Sequence, residues 1–150
     1  MKALSGYAEW FYCMCRGWKD VENRNWPLPA KVKQLLPVRI YLHASKTKTP
    51  DCEVEIILEN LNKKQSAEFR GVDWSKYRGA IIGETTIMRQ VERVPPGFET
   101  LDGFVSEWFF GNYGFVVQDG VLFEKPIPMK GRLGFFEVTL QKVVLQSGGK

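Results

Sequence analysis

The chain holds one histidine, three cysteines and no long apolar run, and each scarcity closes a class of function. A single histidine, His43, excludes a ribonuclease that passes protons between two histidines. Cys13, Cys15 and Cys52 form an odd set with no C-x-x-C pair, so neither a disulfide framework nor a zinc site is encoded. Two residues apart on a helix, Cys13 and Cys15 point away from one another, and reduced thiols in a reducing compartment are expected. No apolar run approaches the roughly 20 residues that span a bilayer, and no signal pattern opens the chain, so a cytoplasmic protein without a membrane is expected. Phosphate-loop, zinc and serine-triad motifs are missing, as are internal repeats and long linkers. No metal and no cofactor are therefore expected.

What is present is an ordinary globular composition. At 150 residues, 44% apolar and 25% charged, the chain suits one domain with a real core. A net charge of +4 permits a polyanionic partner without requiring one.

Ser5 followed by Tyr7, Trp10, Phe11 and Met14 gives an apolar stripe at helical spacing, with Ser5 suited to the N-cap and Gly17 to the stop. Such a stripe is the core-facing side of an amphipathic helix. Pro27, Pro29 and Pro37 make the next stretch irregular. Residues 38–44 alternate and are rich in strand formers. Residues 50–64 read as a second helix, with Pro50 at its first position and Val54, Ile57, Leu58 and Leu61 as its apolar face. A strand over 79–87, extending toward Val94, should stop at Pro95-Pro96-Gly97. Asp119-Gly120, between apolar runs at 115–118 and 121–124, reads as a hairpin turn. Residues 133–140 read as the last strand and 147–150 as a frayed tail. Strands and a few helices without regular βαβ alternation predict a compact α+β or barrel-like domain.

The densest grouping of opposed charges is Gly17-Trp18-Lys19-Asp20-Val21-Glu22-Asn23-Arg24, followed by Asn25-Trp26-Pro27. Lys19 supplies three donors and Arg24 a planar fork, while Glu22 can accept from a base amino group or hold Lys19 charged. If Gly17 ends the helix, Glu22 and Arg24 share one side of an extended segment and Lys19 approaches from the helix terminus. A surface ion pair of little consequence is the competing reading of Lys19 and Glu22. His43 and Ser45, with Lys46 beyond them, lie at a strand exit, where His43 is either a satisfied core or rim residue or a tunable donor. Trp26 and Tyr113 offer flat faces for stacking, or alternatively a cap and a turn filler. Glu84, on a mostly apolar strand, must meet a cation or a ligand, because an unpaired buried carboxylate is costly.

This run resembles the G-x-K-x-x-E-x-R signature of ASCH domains in the PUA-like superfamily. Further fragments resemble the same family in the same order: Ala3-Leu4-Ser5, Leu42-His43-Ala44-Ser45-Lys46, Gly79-Ala80-Ile81-Ile82-Gly83-Glu84, Tyr113-Gly114-Phe115-Val116, and the segment from Ile127 to Phe136. The resemblance implies an α+β fold, a small curved PUA-like β-barrel decorated by helices, with a cleft near the end of the first helix. It also implies one domain over residues 1–150, in which the helical stretch at about 47–78 reads as an insertion. Gly6-Tyr7-Ala8-Glu9 departs from the arginine-glutamine-proline-like opening of close relatives.

The function expected is an RNA-binding or modified-nucleoside-binding module, its partner RNA or a nucleotide or nucleoside ligand. Lys19, Glu22, Arg24, Trp26, His43, Ser45, Lys46, Glu84 and Tyr113 are the candidate ligand contacts. One alternative is a small hydrolase of an N4-acylated cytidine nucleoside or of RNA, with Lys19 and Glu22 as catalytic groups. Some members of the family resemble amidohydrolases that use a lysine and a threonine in this motif plus a separate glutamate. Lys19 matches the lysine, but Glu22 stands at the threonine position and would have to act as a base on water. Another alternative is a protein-interaction module presenting the helix at 50–64. In the preferred reading that helix stands apart from the ligand site.

Overall fold

The computed structural model describes residues 1–94, 99–100 and 102–140; the expected stop at Pro95-Pro96-Gly97 and the tail at 147–150 lie outside the described residues. Strand β1 (Lys2–Gly6) leads into helix α1 (Ala8–Cys15), and the chain reverses into β2 (Val21–Arg24). A one-turn α2 (Ala30–Lys33) precedes β3 (Val38–Ala44). Helices α3 (Asp51–Asn60) and α4 (Lys63–Arg70) and a 3-10 turn at Trp74–Lys76 occupy the middle of the chain. Strands β4 (Ala80–Val94), β5 (Glu99–Thr100), β6 (Tyr113–Pro128) and β7 (Phe135–Glu137) follow.

Six strands form one sheet in the order β2-β6-β4-β3-β1-β7, and β5 pairs β4 off this path. β1 and β3 are parallel, and the other pairs are antiparallel. The fold is α+β as expected, but the sheet is open rather than a barrel. Its end strands β2 and β7 have four and three residues. Among the described residues each pairs on one side only, so no ladder joins them. Closure would need a continuous stagger around the ring, which these short strands do not supply.

The expected hairpin at Asp119-Gly120 is instead part of the single long strand β6. Glu84 pairs with Val121 and Thr86 with Gln118, so one residue of β4 faces Asp119 and Gly120 together in a bulge. Asp119 has φ +57°, a left-handed conformation that aspartate tolerates. Gly120 is there for space: a Cβ on it would lie 2.2 Å from the Met14 carbonyl oxygen at the end of α1. The sequence signal for a turn was thus a signal for close helix–sheet approach.

Ser5 is not an N-cap; it belongs to β1, and Tyr7 occupies the cap position without a side-chain hydrogen bond. The helix expected over 50–64 is two helices. Leu61 turns extended (φ −95°, ψ 143°), and Asn62 starts α4 with a reciprocal capping box to Gln65. The last strand is shorter than 133–140. Strand β3 matches the expected span, and β4 runs through to Val94.

Helix α1 lies on the sheet and buries Phe11, Tyr12 and Met14 in one cluster with Leu42, Ile82 and Phe115. Each fully buried side chain of this size contributes about 1.5–3 kcal/mol. A second cluster gathers Cys13, Ile57, Phe69, Trp108 and Phe109 and so ties α3 and α4 to α1. All three cysteines are free; Cys13 and Cys15 are buried and Cys52 is exposed. Burial pushes the Cys13 thiol up to about 12. Among the described residues no helix is long and apolar enough to cross a membrane.

Candidate functional site

The site begins with the way α1 stops. Gly17, at φ +74°, donates to the Met14 carbonyl at 3.0 Å, and Trp18 donates to that of Cys13 at 2.9 Å. These two bonds make a Schellman ending. They fold the next residue back under the helix, where Lys19 is only 2% exposed. Its Nζ lies 3.9 Å from the Met14 sulfur and 5.4 Å from the centre of the Trp10 ring, and it donates to the Val21 carbonyl.

Strand β2 supplies the rest. Residues of alternate parity face opposite sides of a strand, so Glu22 and Arg24 share one face and Asn23 takes the other. Glu22, 7% exposed, bridges the two cations. Its Oε1 lies 3.3 Å from Lys19 Nζ, and its Oε2 accepts from Arg24 Nε at 2.9 Å and sits 2.7 Å from Nη2. Arg24 Nη2 also donates to the Ser5 carbonyl at 2.8 Å. Asn23 fixes the loop ahead of β6: its amide donates to the Trp108 carbonyl, and its oxygen accepts from the Phe110 and Gly111 amides.

Burial pushes the Lys19 ammonium below the ordinary lysine range, and Glu22 opposes that shift. For Glu22 burial acts upward, but Arg24 and Lys19 together outweigh it and hold the carboxyl below the usual carboxylate range. A carboxylate held charged, with both oxygens paired, is a weak proton acceptor.

These three side chains line a cleft of about 720 Å³. Trp10 of α1 and Tyr7 at its N-cap line it as well, together with Phe110 and Gly111 from the Asn23-fixed loop. Glu53 and Ile56 of α3 and Ser45 and Thr47 beyond β3 complete its walls. Glu53 accepts from the Trp10 indole nitrogen at 2.8 Å. Helix α3 is therefore part of the cleft and does not stand apart from it.

Of the residues singled out in the sequence, Lys19, Glu22, Arg24 and Ser45 meet here. His43 and Lys46 line an adjoining cleft instead. Trp26 does not line either cleft; it packs edge-on against Phe115 and Phe135 and stands 5.4 Å from the Arg24 guanidinium. Tyr113 packs against the core opposite Arg24 in the β2–β6 register. Glu84 meets a cation rather than the cleft, its Oε1 accepting from Arg39 Nε at 2.6 Å. Sequence reasoning missed Tyr7, Trp10, Asn23, Glu53 and Phe110. Tyr7 and Trp10 were visible as part of the α1 stripe, but periodicity does not separate its covered centre from its open edge. Asn23 was legible from strand alternation. No local pattern marks Glu53 or Phe110.

No family model and no curated protein matches the chain. Solved structures do. A crystal structure of the ASCH protein from Zymomonas mobilis is 18% identical, with 99% of this chain and 92% of that chain covered and a TM-score of 0.48. A tyrosine-to-phenylalanine mutant of the Zymomonas mobilis protein is 16% identical, with 98% and 96% covered and a TM-score of 0.50. The fold is ASCH-like. At such identity the likeness speaks for the fold alone, so nothing about substrate passes from those proteins to this one.

Proposed function

We propose that the Lys19–Glu22–Arg24 cleft binds a nucleobase, carried by a modified nucleoside, a nucleotide or an unpaired position in RNA. The observation that supports this most is a paired charge chain, Lys19–Glu22–Arg24, lining the same cleft as the aromatic side chains of Tyr7, Trp10, Phe11 and Phe110. A base needs donors and acceptors at its edge and a flat partner at its face. Two cations and two carboxylates line this cleft, which suits a polar, near-neutral ligand better than a bare polyanion. Glu22 orders both cations in advance, so little reorganisation is needed when a ligand arrives.

Hydrolysis of an acylated cytidine or of RNA finds less support. Glu22 would have to act as the base, yet Arg24 and Lys19 hold it charged and occupy both oxygens. A protein-interaction role for α3 finds little either, since Ile56 is its one large exposed apolar side chain, at 37%. Calorimetric titration with a panel of nucleosides, acylated cytidines included, tests the proposal. Binding of at least one member is expected, lost in Arg24→Ala and without release of an acyl group. A folded protein that binds no member of the panel, or that turns one over, contradicts it.

A further inference from the structure

Beside the base cleft lies a second one of about 890 Å³, and Ser5, Ser45 and Leu133 line both. Its charge is one-sided. Lys46, Lys130 and Arg132 line it, and no carboxylate does. All three cations are exposed, and among the described residues none of them has a salt-bridge partner.

The segment carrying two of these cations is pinned from below. His43, 2% exposed, donates from Nε2 to the Met129 carbonyl at 2.6 Å, because a carbonyl can only accept. In the neutral ring Nδ1 then accepts from the Ser5 hydroxyl at 3.0 Å. The Met129 amide donates to the Gly79 carbonyl at 3.0 Å. Gly131 presses onto the same pair: a Cβ there would lie 2.5 Å from His43 Cε1 and 2.7 Å from Ser5 Oγ. The Lys46 stem runs over Gly79, where a Cβ would lie 3.0 Å from it. Lys130 and Arg132 thus project from an anchored backbone rather than a free loop.

We propose that this second cleft is a phosphate subsite, so that the preferred ligand is a nucleotide whose base enters the first cleft. The proposal rests on the reading of the first cleft as a base site. An arginine fork and two lysines with no carboxylate between them match the charge and donor needs of a phosphate. Ser5 and Ser45 line both clefts, so the boundary they share is where a ribose would join base to phosphate.

The test compares a nucleoside, its 5′- and 3′-monophosphates and base-free ribose 5-phosphate on the protein and on a Lys130→Ala/Arg132→Ala variant. At least one monophosphate should bind about tenfold or more tighter than the nucleoside, the scale of a charge-assisted hydrogen bond. The double variant should lose that gain and keep nucleoside affinity. Ribose 5-phosphate should shift the Gly131 amide resonance. Equal affinity for nucleoside and both monophosphates, or a gain that survives in the double variant, overturns the subsite. If no nucleoside binds but ribose 5-phosphate still shifts Gly131 and needs Lys130 and Arg132, the subsite stands and the base reading falls. Silence at Gly131 with every phosphorylated probe overturns it. A dinucleotide with and without a 5′-phosphate identifies the source: a gain from the internal diester alone points to an RNA strand, a gain only from the terminal group to a free nucleotide or a 5′ end.

Discussion

The two adjoining clefts handle charge in opposite ways. In the first, Lys19 and Glu22 are buried and Arg24 is largely so, and each of these three charges touches one of opposite sign. In the second, Lys46, Lys130 and Arg132 are exposed and meet no carboxylate in the cleft wall. Water can solvate an exposed cation at little cost, whereas a buried one needs a partner. The first cleft is therefore bound up with folding. The second is free to serve a ligand alone.

The largest expected effect breaks the first cleft. Glu22→Ala leaves Lys19 and Arg24 without their shared anion and should lower unfolding stability by about 3–5 kcal/mol in a denaturant titration. Lys130→Ala and Arg132→Ala should each stay within about 0.5 kcal/mol of the parent. Equal costs on the two sides would erase the contrast.

Acid should separate the clefts as well. The folded-state pKa of Glu22 lies below its ordinary value of 4.5. Its contribution to stability is thus present above about pH 4.5 and is lost as pH falls through the folded value. Lys19 behaves differently, since burial lowers its folded pKa beneath 10.5. Its charge penalises the folded state at pH below the folded value, and the penalty fades as pH rises from there toward 10.5. Unfolding measured across pH should show Glu22→Gln losing less stability on acidification than the parent. An unchanged acid slope in that variant would remove Glu22 from the account.

Much of the first cleft could be read from the chain because its charges are neighbours in sequence. Gly17 announces the helix end, and spacing by two puts Glu22 and Arg24 on one strand face. The aromatic walls were harder to read. Tyr7 and Trp10 share a stripe with Phe11 and Met14, and only the tertiary contacts of α3 show which edge stays open. Long-range pairing hid the partner of Glu84 in the same way, since Arg39 lies 45 residues away. Gly120 misled because a glycine that permits close approach looks, locally, like a glycine that permits a turn.

Gly131→Ala sharpens the second cleft. The new methyl would press on His43 and Ser5, and crowding of this kind costs about 1–3 kcal/mol. The change should weaken any phosphate-dependent affinity while leaving nucleoside affinity in place; loss of both together would mean that the clefts are not separable. A smaller effect is expected for Trp10→Phe, which removes the indole bond to Glu53 at the cost of about 1 kcal/mol.

Resonance mapping during a nucleoside titration tests the base cleft most directly. The Trp10 indole N–H and the amides of Phe110 and Gly111 should shift together and saturate at one affinity, with the Gly103 amide unmoved. Saturating nucleoside that leaves the Trp10 indole in place, or that moves only residues outside the Lys19–Glu22–Arg24 cleft, would contradict the account.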